Sequence, residues 1–457
     1  MAFSAIPRQL ALMALVPSGL LGLACGTSTL PSSTSSEPDA TDHVLPVFDA
    51  GTEEDSSRGS VFVPTCPDGG STSLSGTTFA PDGKLALYNV IVFVPTGALQ
   101  PLSDRLTCDQ CGTVGAAPVA SATSDATGHF VLHDVPSGDN VPLVVQLGKW
   151  RRQVVLPHVE PCTGTVLTDP ELTRLPRKQS EGHLPRMAVT TGGCDQIACV
   201  LPKIGVDASE FGVAADFPDK RVIFYQGARM KDSPVYSGAT PAPSLWSDFD
   251  TLAQFDTVIF SCECSEFQDN KSDAARAAVA RYLDSGGRTF QTDFGYTWIH
   301  QGPSPMPTVF QNFVGGAPGD GNGQYAIDTT FPKGAALSDW LMAVQGTTTS
   351  SSVNLTTVFR NFGRANLGLS QRWVYSPYSD QVLSFTTPLT SPADSRCGKA
   401  VYLDLHVGDS KNEIVDGTFP ASCGSEPLTP QEKLMVFFLM DLASCIQNDT
   451  SSIVPPR

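Results

Sequence analysis

The chain has 457 residues, a formal charge of −17, 41% hydrophobic and 16% charged residues, and 12 cysteines. This length predicts two or three domains. The surplus of acids argues strongly against a nucleic-acid-binding protein and against contact with anionic membranes, because both need basic residues that face phosphate. Twelve cysteines are many for a cytosolic protein and ordinary for an exported one, in which thiols are oxidised.

The N-terminus predicts an export signal over residues 1–24. Arg8 precedes an apolar run that is too short and too interrupted for a transmembrane helix. The run ends in Leu-Gly-Leu-Ala before Cys25 and resembles a bacterial lipobox, although Gly22 stands where that family prefers Leu. The resemblance implies cleavage before Cys25 and lipidation of its thiol. Simple secretion and a buried N-terminal segment remain alternatives.

Residues 25–65 are rich in Ser, Thr, Pro, Asp and Glu. Such a stretch cannot bury enough apolar surface to offset its chain entropy. We therefore predict a disordered tether that carries the lipid anchor, with a binding role as the alternative. Residues 448–457 are predicted to be a disordered tail.

Short β-type runs separated by turns follow in residues 66–165. A turn over 80–83 leads to the nearly continuous apolar run 87–94, and residues 129–132 alternate between polar and apolar. This pattern contains no helical period, so it predicts an all-β sandwich.

The same residues resemble the carboxypeptidase regulatory-like domain, a transthyretin-like sandwich. The resemblance is carried by Pro-Asp-Gly at 81–83, by Thr-x-Asp-x-x-Gly-x-Phe-x-Leu at 123–132 and by Val-Pro-x-Gly at 135–138. It implies an accessory, non-catalytic module of the kind assigned to carbohydrate binding, protein binding or domain spacing.

Within this region, the run Lys149-Trp150-Arg151-Arg152 looks exposed. One hypothesis is a recognition patch in which Trp150 stacks on a sugar ring while Arg151 and Arg152 pair with carboxylates. The alternative is an edge strand whose charges block aggregation.

A basic link over residues 166–184 leads to a second predicted domain over 185–447, in which strands and helices alternate. Ser272 caps an amphipathic helix that ends before Gly286, and Thr429-Pro430-Gln431-Glu432 opens a helix that is apolar almost all round. This order requires crossover connections, so we predict a flavodoxin-like, three-layer α/β domain with a parallel sheet. The predicted strands include residues 221–225, 255–263, 288–292 and 399–406.

This domain resembles the class I glutamine amidotransferase-like fold, and its trehalose-utilisation-type relatives look closest. The resemblance is carried by Phe-Asp-x-Val-Ile at 255–259, by Tyr-Leu-x-x-Gly-Gly at 282–287 and by a late strand that ends in His406, with irregular insertions between about 299 and 370. The family has a nucleophilic Cys where this chain has Asp293. A carboxylate cannot form the thioester, so the substitution argues against glutamine hydrolysis.

A polar cluster is predicted at the carboxyl edge of this sheet, where open α/β folds bind ligands. Glu263, Asp293 and His406 each end a predicted strand, and Tyr296 and Trp298 are placed in the lining of the cleft. Asp293 and His406 suit a general acid/base pair, and all three polar residues suit a divalent metal. The alternative is that each is a hydrogen-bonded structural group.

The cysteines predict a disulfide framework. Cys108 and Cys111 are separated by two residues but lack a second such pair, so structural disulfides are favoured over zinc or redox chemistry. Cys262, Cys264 and Cys445 are left over, with one pair and one free thiol at most. The expected partners are Cys194 with Cys199, Cys397 with Cys423, and some pairing among Cys66, Cys108, Cys111 and Cys162.

Taken together, these features predict an exported, lipid-anchored protein of the outer membrane or periplasm. Its predicted role is non-catalytic binding or scaffolding, with an envelope glycan or surface protein as partner. The alternative is an envelope hydrolase that acts through Asp293 and His406. The sequence contains no metal or cofactor motif, so we expect neither. Membrane contact is expected only through the lipid, and the oligomeric state stays open.

Overall fold

The computed structural model describes most of the chain beyond the tether. The predicted signal peptide, the lipidation call at Cys25 and the tether up to residue 62 lie outside the described residues. In the part of the chain that is described, no helix has the length and apolar character needed to cross a bilayer. The described ranges are 63–67, 69–111, 118–227, 238–318, 321–407, 419 and 423–451.

The chain is multi-domain, with much β-sheet, several helices and a sheet that contains parallel strands. Its first region consists of two sheets. One has three strands in the order β4-β1-β7, and the other has four antiparallel strands in the order β3-β2-β5-β6. The strands are β1 Ser73–Thr77, β2 Ile91–Pro95, β3 Pro118–Thr123, β4 His129–Leu132, β5 Gly138–Leu147, β6 Trp150–Val159 and β7 Gly164–Leu167.

The two sheets share one apolar core, to which Leu74, Val92, Phe130 and Leu143 contribute. The alternation predicted for residues 129–132 is observed, since Phe130 and Leu132 are buried while His129 and Val131 are exposed. Two layers of sheet with alternating inward side chains form a stable arrangement around a common core.

The turn before β4 explains the Asp-x-x-Gly motif. Asp125 Oδ1 accepts the backbone N–H groups of Thr127 at 2.8 Å and of His129 at 3.0 Å. Gly128 has φ +80°, and an added Cβ would lie 3.1 Å from Thr77 and Ala86. Glycine therefore suits this position both in conformation and in space.

The second region contains the remaining strands and the helices of the described residues. Its strands are β8 Met187–Thr190, β9 Phe211–Val213, β10 Val222–Gln226, β11 Thr240–Pro241, β12 Thr257–Phe260, β13 Arg288–Thr292, β14 Phe310–Pro318, β15 Gly323–Ile327, β16 Ser352–Leu355, β17 Phe359–Ala365, β18 Gln371–Tyr375, β19 Asp380–Thr387 and β20 Gly398–Leu403. Its helices are α1 Val200–Lys203, α2 Pro243–Trp246, α3 Phe249–Leu252, α4 Asp273–Asp284, α5 Thr297–His300, α6 Pro332–Ala343 and α7 Pro430–Ala443.

An eleven-stranded sheet organises this region. Its main path is β11-β10-β8-β12-β13-β20-β19-β18-β15-β16, and β9 pairs with β10. The pairings from β11 to β20 are parallel, whereas those from β20 to β16 are antiparallel. Counted from β8 and without β9 and β11, the parallel strands follow the spatial order 2-1-3-4-5. Strand β8 therefore has β10 on one side and β12 on the other, so the strand order reverses direction at β8.

Helices cover both faces of the sheet. In β12, Val258 packs in the core that contains α4, while Ile259 packs in the core that contains α7. The predicted caps of both helices are confirmed: the Ser272 hydroxyl accepts the N–H of Ala275, and Thr429 and Glu432 form a capping box. The expectation of irregular insertions between about 299 and 370 is wrong, because β14 to β17 and α6 lie there.

The two regions pack against each other within one compact unit, residues 56–457. The Tyr88 ring stacks on that of Phe437 in α7, with 5.7 Å between centroids. The Trp340 indole N–H donates to the carbonyl oxygen of Ala86 at 2.9 Å. Residues of both regions belong to one apolar core, so this contact is continuous with the interior of the protein.

Five disulfides occur among the described residues, and the expected pairs Cys194 with Cys199 and Cys397 with Cys423 are wrong. Cysteines that are close in sequence are not paired with each other, because disulfide geometry depends on distance in the fold. Some pairing was expected among Cys66, Cys108, Cys111 and Cys162. It is confirmed once, for Cys66 with Cys162. Cys262 is the free thiol of the described residues. The other bonds are Cys108–Cys397, Cys111–Cys445, Cys194–Cys264 and Cys199–Cys423.

A buried group of four charges lies near the amino end of β20. Lys333 contacts Asp441 and Asp449 at 2.7 and 3.0 Å, and Lys399 contacts the same two carboxylates at 2.5 and 2.7 Å. We call these four residues the lysine–aspartate quartet. The predicted disordered tail begins at residue 448, but Asp449 is buried in the quartet, so the prediction is wrong there. Residues 452–457 lie outside the described part.

Candidate functional site

The candidate site lies where neighbouring parallel strands end. Cys262 follows β12, Asp293 follows β13, and His406 follows β20, which are consecutive strands of the sheet. All three are buried, with relative exposures of 0%, 1% and 3%. Parallel strands place their carboxyl ends at one edge, which explains why residues far apart in sequence meet here.

Asp293 is the centre of the site. Its Oδ2 accepts from Cys262 Sγ at 3.1 Å and lies 2.8 Å from His406 Nε2, while its Oδ1 accepts from Asn361 Nδ2 at 2.7 Å. Asp293 also has φ +39°, which is uncommon for a residue other than glycine. Such conformations persist where the surrounding contacts hold them and concentrate at functional sites. The predicted proximity of Asp293 and His406 is therefore observed.

A second layer of hydrogen bonds surrounds Asp293. Asp404 accepts from Asn361 Nδ2 at 2.5 Å and from the Asn361 backbone N–H at 2.7 Å. The Tyr402 hydroxyl lies 2.9 Å from the carbonyl oxygen of Asp293 and 3.0 Å from Asp404 Oδ1. Asn361 thus holds the Asp293 carboxylate oxygen that does not contact His406, and Tyr402 holds the Asp293 backbone carbonyl.

Two buried atoms beside this cluster have no hydrogen-bond partner among the described residues, namely His406 Nδ1 and Asp195 Oδ2. The other oxygen of Asp195 accepts the backbone N–H of Val407 at 3.0 Å. The ring of Phe359 covers His406, with 4.4 Å between centroids. Buried polar atoms are normally paired, so these two mark the site as incomplete on this side.

Burial and mutual charge shift the protonation of the cluster. Burial, followed by the charge of Asp293, raises the pKa of Cys262 well above its ordinary value. Burial opposes the charged form of His406, but its hydrogen bond to Asp293 and the carboxylates of Asp195 and Asp404 raise its pKa overall. Cys262 is therefore a thiol and a hydrogen-bond donor at neutral pH, without the thiolate that nucleophilic attack requires.

The pKa values of the two flanking carboxyl groups, those of Asp404 and Asp195, are raised above their ordinary values. Burial, together with the charge of Asp293, raises the pKa of Asp404 to about 7. Burial also raises the pKa of Asp195, although the nearby His406 opposes this shift. A desolvated carboxyl group keeps its proton to higher pH, because the charged form is the one that burial disfavours.

Glu263 is not a member of this cluster, contrary to the prediction. Its carboxylate is paired with Lys271, whose ammonium lies 5.8 Å from the centre of the Trp298 ring. Trp298 is itself buried against Phe260, with 4.8 Å between ring centroids, so its predicted role in lining a cleft is wrong. Tyr296 is also buried, and its hydroxyl donates to Glu266.

The recognition patch predicted at Trp150 is wrong as well. Trp150 is 2% exposed and belongs to the core between the two regions. Arg151 donates to the carbonyl oxygen of Gln100 at 2.8 Å, and Arg152 donates to that of Glu171 at 2.6 Å. The β6 edge at Arg151 is covered by backbone pairing with His183. A ring that is already buried cannot stack on a sugar.

A cavity of about 690 Å³ opens elsewhere, at the junction of the two regions. Lys84 reaches it from the first region, Lys203 from α1 and Lys433 from α7, together with Asp82 and Glu426. The Lys203 ammonium pairs with Glu432 at 2.7 Å, and that of Lys433 donates to the carbonyl oxygen of Val344 at 2.7 Å. We call this cavity the junction cleft.

Sequence reasoning missed the cleft and five residues of the buried site, Asp195 among them. The cysteine arithmetic leaves Cys262 over without a role, although it lies one position before Glu263. Asn361 lies in a segment that looked irregular. Asp404 and Tyr402 stand at alternate positions before His406, and this period of two was the available signal that they share its side of the sheet.

No family model matches the chain, and no curated protein matches it. Among solved structures, the chain is similar to a cytoplasmic protein from Salmonella typhimurium at 10% identity and a TM-score of 0.26, over 57% of this chain and 98% of that one. It is similar to a putative ThuA-like protein from Bacteroides uniformis at 11% identity and a TM-score of 0.24, over 55% and 88%.

A third likeness is to a type II cohesin–X-dockerin complex from Acetivibrio cellulolyticus, at 14% identity and a TM-score of 0.16, over 32% of this chain and 78% of that one. All three scores are low, so these likenesses carry no argument about function. The ThuA-like neighbour is compatible with the amidotransferase-like resemblance and does not establish it.

Proposed function

We propose that the chain is an exported, lipid-anchored binding protein of the cell envelope whose ligand occupies the junction cleft. In this proposal the first region is a carboxypeptidase regulatory-like sandwich and the second a flavodoxin-like, amidotransferase-like domain. The common core of the two small sheets and the 2-1-3-4-5 order of the parallel strands support those assignments. Five disulfides support an oxidising compartment.

One observation carries the binding role: the open cavity and the buried acid/base cluster are in different places. The junction cleft has a volume of about 690 Å³, within the range of small-ligand sites. Asp293 and His406 have exposures of 1% and 3%, and Asp293 already accepts three side-chain hydrogen bonds. A ligand reaches the cleft without displacing those contacts.

The lining of the cleft suits a glycan that carries carboxylate groups. Three lysines line it from three segments of the chain, against two acids, Asp82 and Glu426, and the described lining residues include no aromatic ring. Sugar recognition here would therefore depend on hydrogen bonds and charge, without ring stacking. Lys84 is exposed, and its side chain has no hydrogen bond to a described residue, so its ammonium is the group best placed to meet a carboxylate.

The test is calorimetric titration of the full chain with an oligogalacturonate and with a neutral cello-oligosaccharide of the same length. We expect binding of the acidic sugar, weakened about tenfold by Lys84→Ala, since a charged hydrogen bond contributes about 1.5–3 kcal/mol in a protected site and less in an open one. Lys220→Ala is the matched control, because Lys220 lies outside the described lining.

Equal affinity for both sugars, or an unchanged affinity in Lys84→Ala, would contradict an acidic glycan as ligand. Binding of neither sugar, combined with capture of an envelope protein that Lys84→Ala releases, would instead identify a protein ligand in the same cleft.

The second candidate function is hydrolysis through Asp293 and His406. It rests on the 2.8 Å contact between these side chains and on the φ of +39° at Asp293. A carboxylate that orients an imidazole is the arrangement of a general base. Turnover of an ester, amide or glycoside panel that disappears in His406→Gln, with the fold intact, would favour the hydrolase. The absence of turnover by the wild-type chain would reject it.

A further inference from the structure

The cluster at the ends of β12, β13 and β20 has the donor set of a transition-metal site. Cys262 Sγ, an Asp293 carboxylate oxygen and a His406 ring nitrogen all lie within 4.8 Å of one another. One thiol, one carboxylate and one imidazole are ligands that zinc accepts together. We propose that these three residues bind one zinc ion.

The spacing of the donors fits such an ion. Zinc lies about 2.0–2.3 Å from its ligands, which places the donors of one site within roughly 4 Å of each other. Two of the contacts, 3.1 Å from Cys262 to Asp293 and 2.8 Å from His406 to Asp293, lie inside this spacing, and the third pair of donors, Cys262 with His406, lies within 4.8 Å.

The charge of the cluster also favours a cation. Three carboxyl groups, those of Asp195, Asp293 and Asp404, and the Cys262 thiol surround a single imidazole. Among the described residues, no lysine or arginine side chain donates a hydrogen bond to any of them. Buried carboxylates are normally paired with cations or bound to metals. Because no lysine or arginine of the described residues pairs with this cluster, a bound metal ion is the arrangement that would match its charge.

Supporting residues are also present. A histidine that ligates a metal usually donates its other ring N–H to a carboxylate or carbonyl. With Nε2 on the ion, His406 Nδ1 is the free ring nitrogen, and the buried Asp195 Oδ2 also has no partner among the described residues. Asn361 holds the second oxygen of Asp293, which leaves Oδ2 for the ion.

Protons balance at both the thiol and the imidazole. The Cys262 thiol loses its proton to solvent and becomes the thiolate ligand. Nε2 of His406 gives up its proton, to Nδ1 in the neutral ring or to solvent from the imidazolium, and no bond is oxidised or reduced. Because all three side chains are buried, the ion enters during folding or local opening rather than through a preformed channel. This inference does not depend on the ligand of the junction cleft.

The experiment measures metal in the full chain itself. The chain, with its disulfides intact, is exposed to zinc in mild denaturant, returned to buffer and freed of loosely held ions. We expect one zinc per chain by mass spectrometry and one sulfur in the zinc coordination shell by X-ray absorption. Cys262→Ser and His406→Gln should each lower zinc affinity at least about 100-fold, more than loss of a supporting residue.

His158→Gln is the matched control, because His158 also contacts a carboxylate, Asp139 at 2.5 Å, but is exposed and lies on the first region. Its zinc content should equal that of the wild type. Less than one zinc per chain, a zinc shell without sulfur, or unchanged affinity in Cys262→Ser would overturn the proposal. The X-ray absorption result is obtained on the wild-type chain, so it stands even if a variant fails to fold.

Discussion

The two ends of strand β20 differ in whether their buried acidic and basic groups are matched in number. Near its amino end, the lysine–aspartate quartet combines two lysines with two aspartates. Beyond its carboxyl end, the cluster around Asp293 combines three carboxyl groups and a thiol with one histidine. Both groups are buried, so the difference lies in charge matching and not in exposure.

The difference separates a structural role from a functional one. Matched charges satisfy one another and need nothing more from solvent or ligand. An unmatched cluster keeps protons on its acids or takes up a cation, and buried groups with shifted pKa values are candidates for function. The fold thus places its matched ion pairs at one edge of the sheet and its candidate functional groups at the edge where α/β proteins bind ligands.

The largest effect is expected from breaking the quartet. Lys399→Met leaves Asp441 and Asp449 with a single buried partner, and removing one member of a buried ion pair typically costs about 3–5 kcal/mol. Urea unfolding followed by circular dichroism measures this loss. Lys220→Met is the control, because Lys220 is partly exposed and donates to the backbone carbonyl of Ser209 and to no carboxylate of the quartet. An unfolding free energy within about 1 kcal/mol of the wild type would show that the quartet is not held by its charges.

The acid limb of the stability profile should report the same quartet. Burial opposes ionisation, but Lys333 and Lys399 hold the pKa values of Asp441 and Asp449 below their ordinary values. This stabilisation is present above the unfolded pKa near 4 and is lost as pH falls through the folded values. Unfolding free energy measured from pH 5 downward should fall less steeply in Asp449→Asn. An equal slope would place the acid sensitivity elsewhere.

The carboxyl end should show a smaller dependence of opposite sign. The pKa of Asp404 is raised to about 7, so the folded chain holds a proton that the unfolded chain releases near pH 4. Stability therefore falls as pH rises from about 4 to about 7, by at most about 1.4 kcal/mol per pH unit for one proton. In chelator-treated protein, Asp404→Asn should make this limb less steep, with a residual slope from Asp195 and His406, whose pKa values are also raised. A slope equal to that of the wild type would assign the limb to those groups.

Local features of this fold could be predicted from the sequence. Ser272 and Thr429 cap their helices because a hydroxyl, a following acid and an apolar period are all readable within one turn. The strand over 288–292 was predicted with its observed bounds. The meeting of Asp293 with His406 was also accessible, because parallel strands share a carboxyl edge.

Features that depend on distance in the fold could not be predicted. Trp150 reads as an edge residue until the second region covers it. Choosing Cys262 over Glu263 requires knowing which side of the sheet each residue faces after β12 ends, and a shift of one residue reverses that face. Disulfide partners such as Cys199 and Cys423 are 224 residues apart, a separation that no local pattern encodes.

The bonds from Cys108 to Cys397 and from Cys111 to Cys445 impose an order on biosynthesis. Their partners follow 289 and 334 residues later, which at about 5–20 residues per second means a delay of roughly a quarter of a minute to a minute or more. During that time Cys108 and Cys111 are each other's nearest thiols. Correct maturation therefore favours late oxidation or a disulfide isomerase, and the first region acquires its final covalent form only after the last helix has emerged.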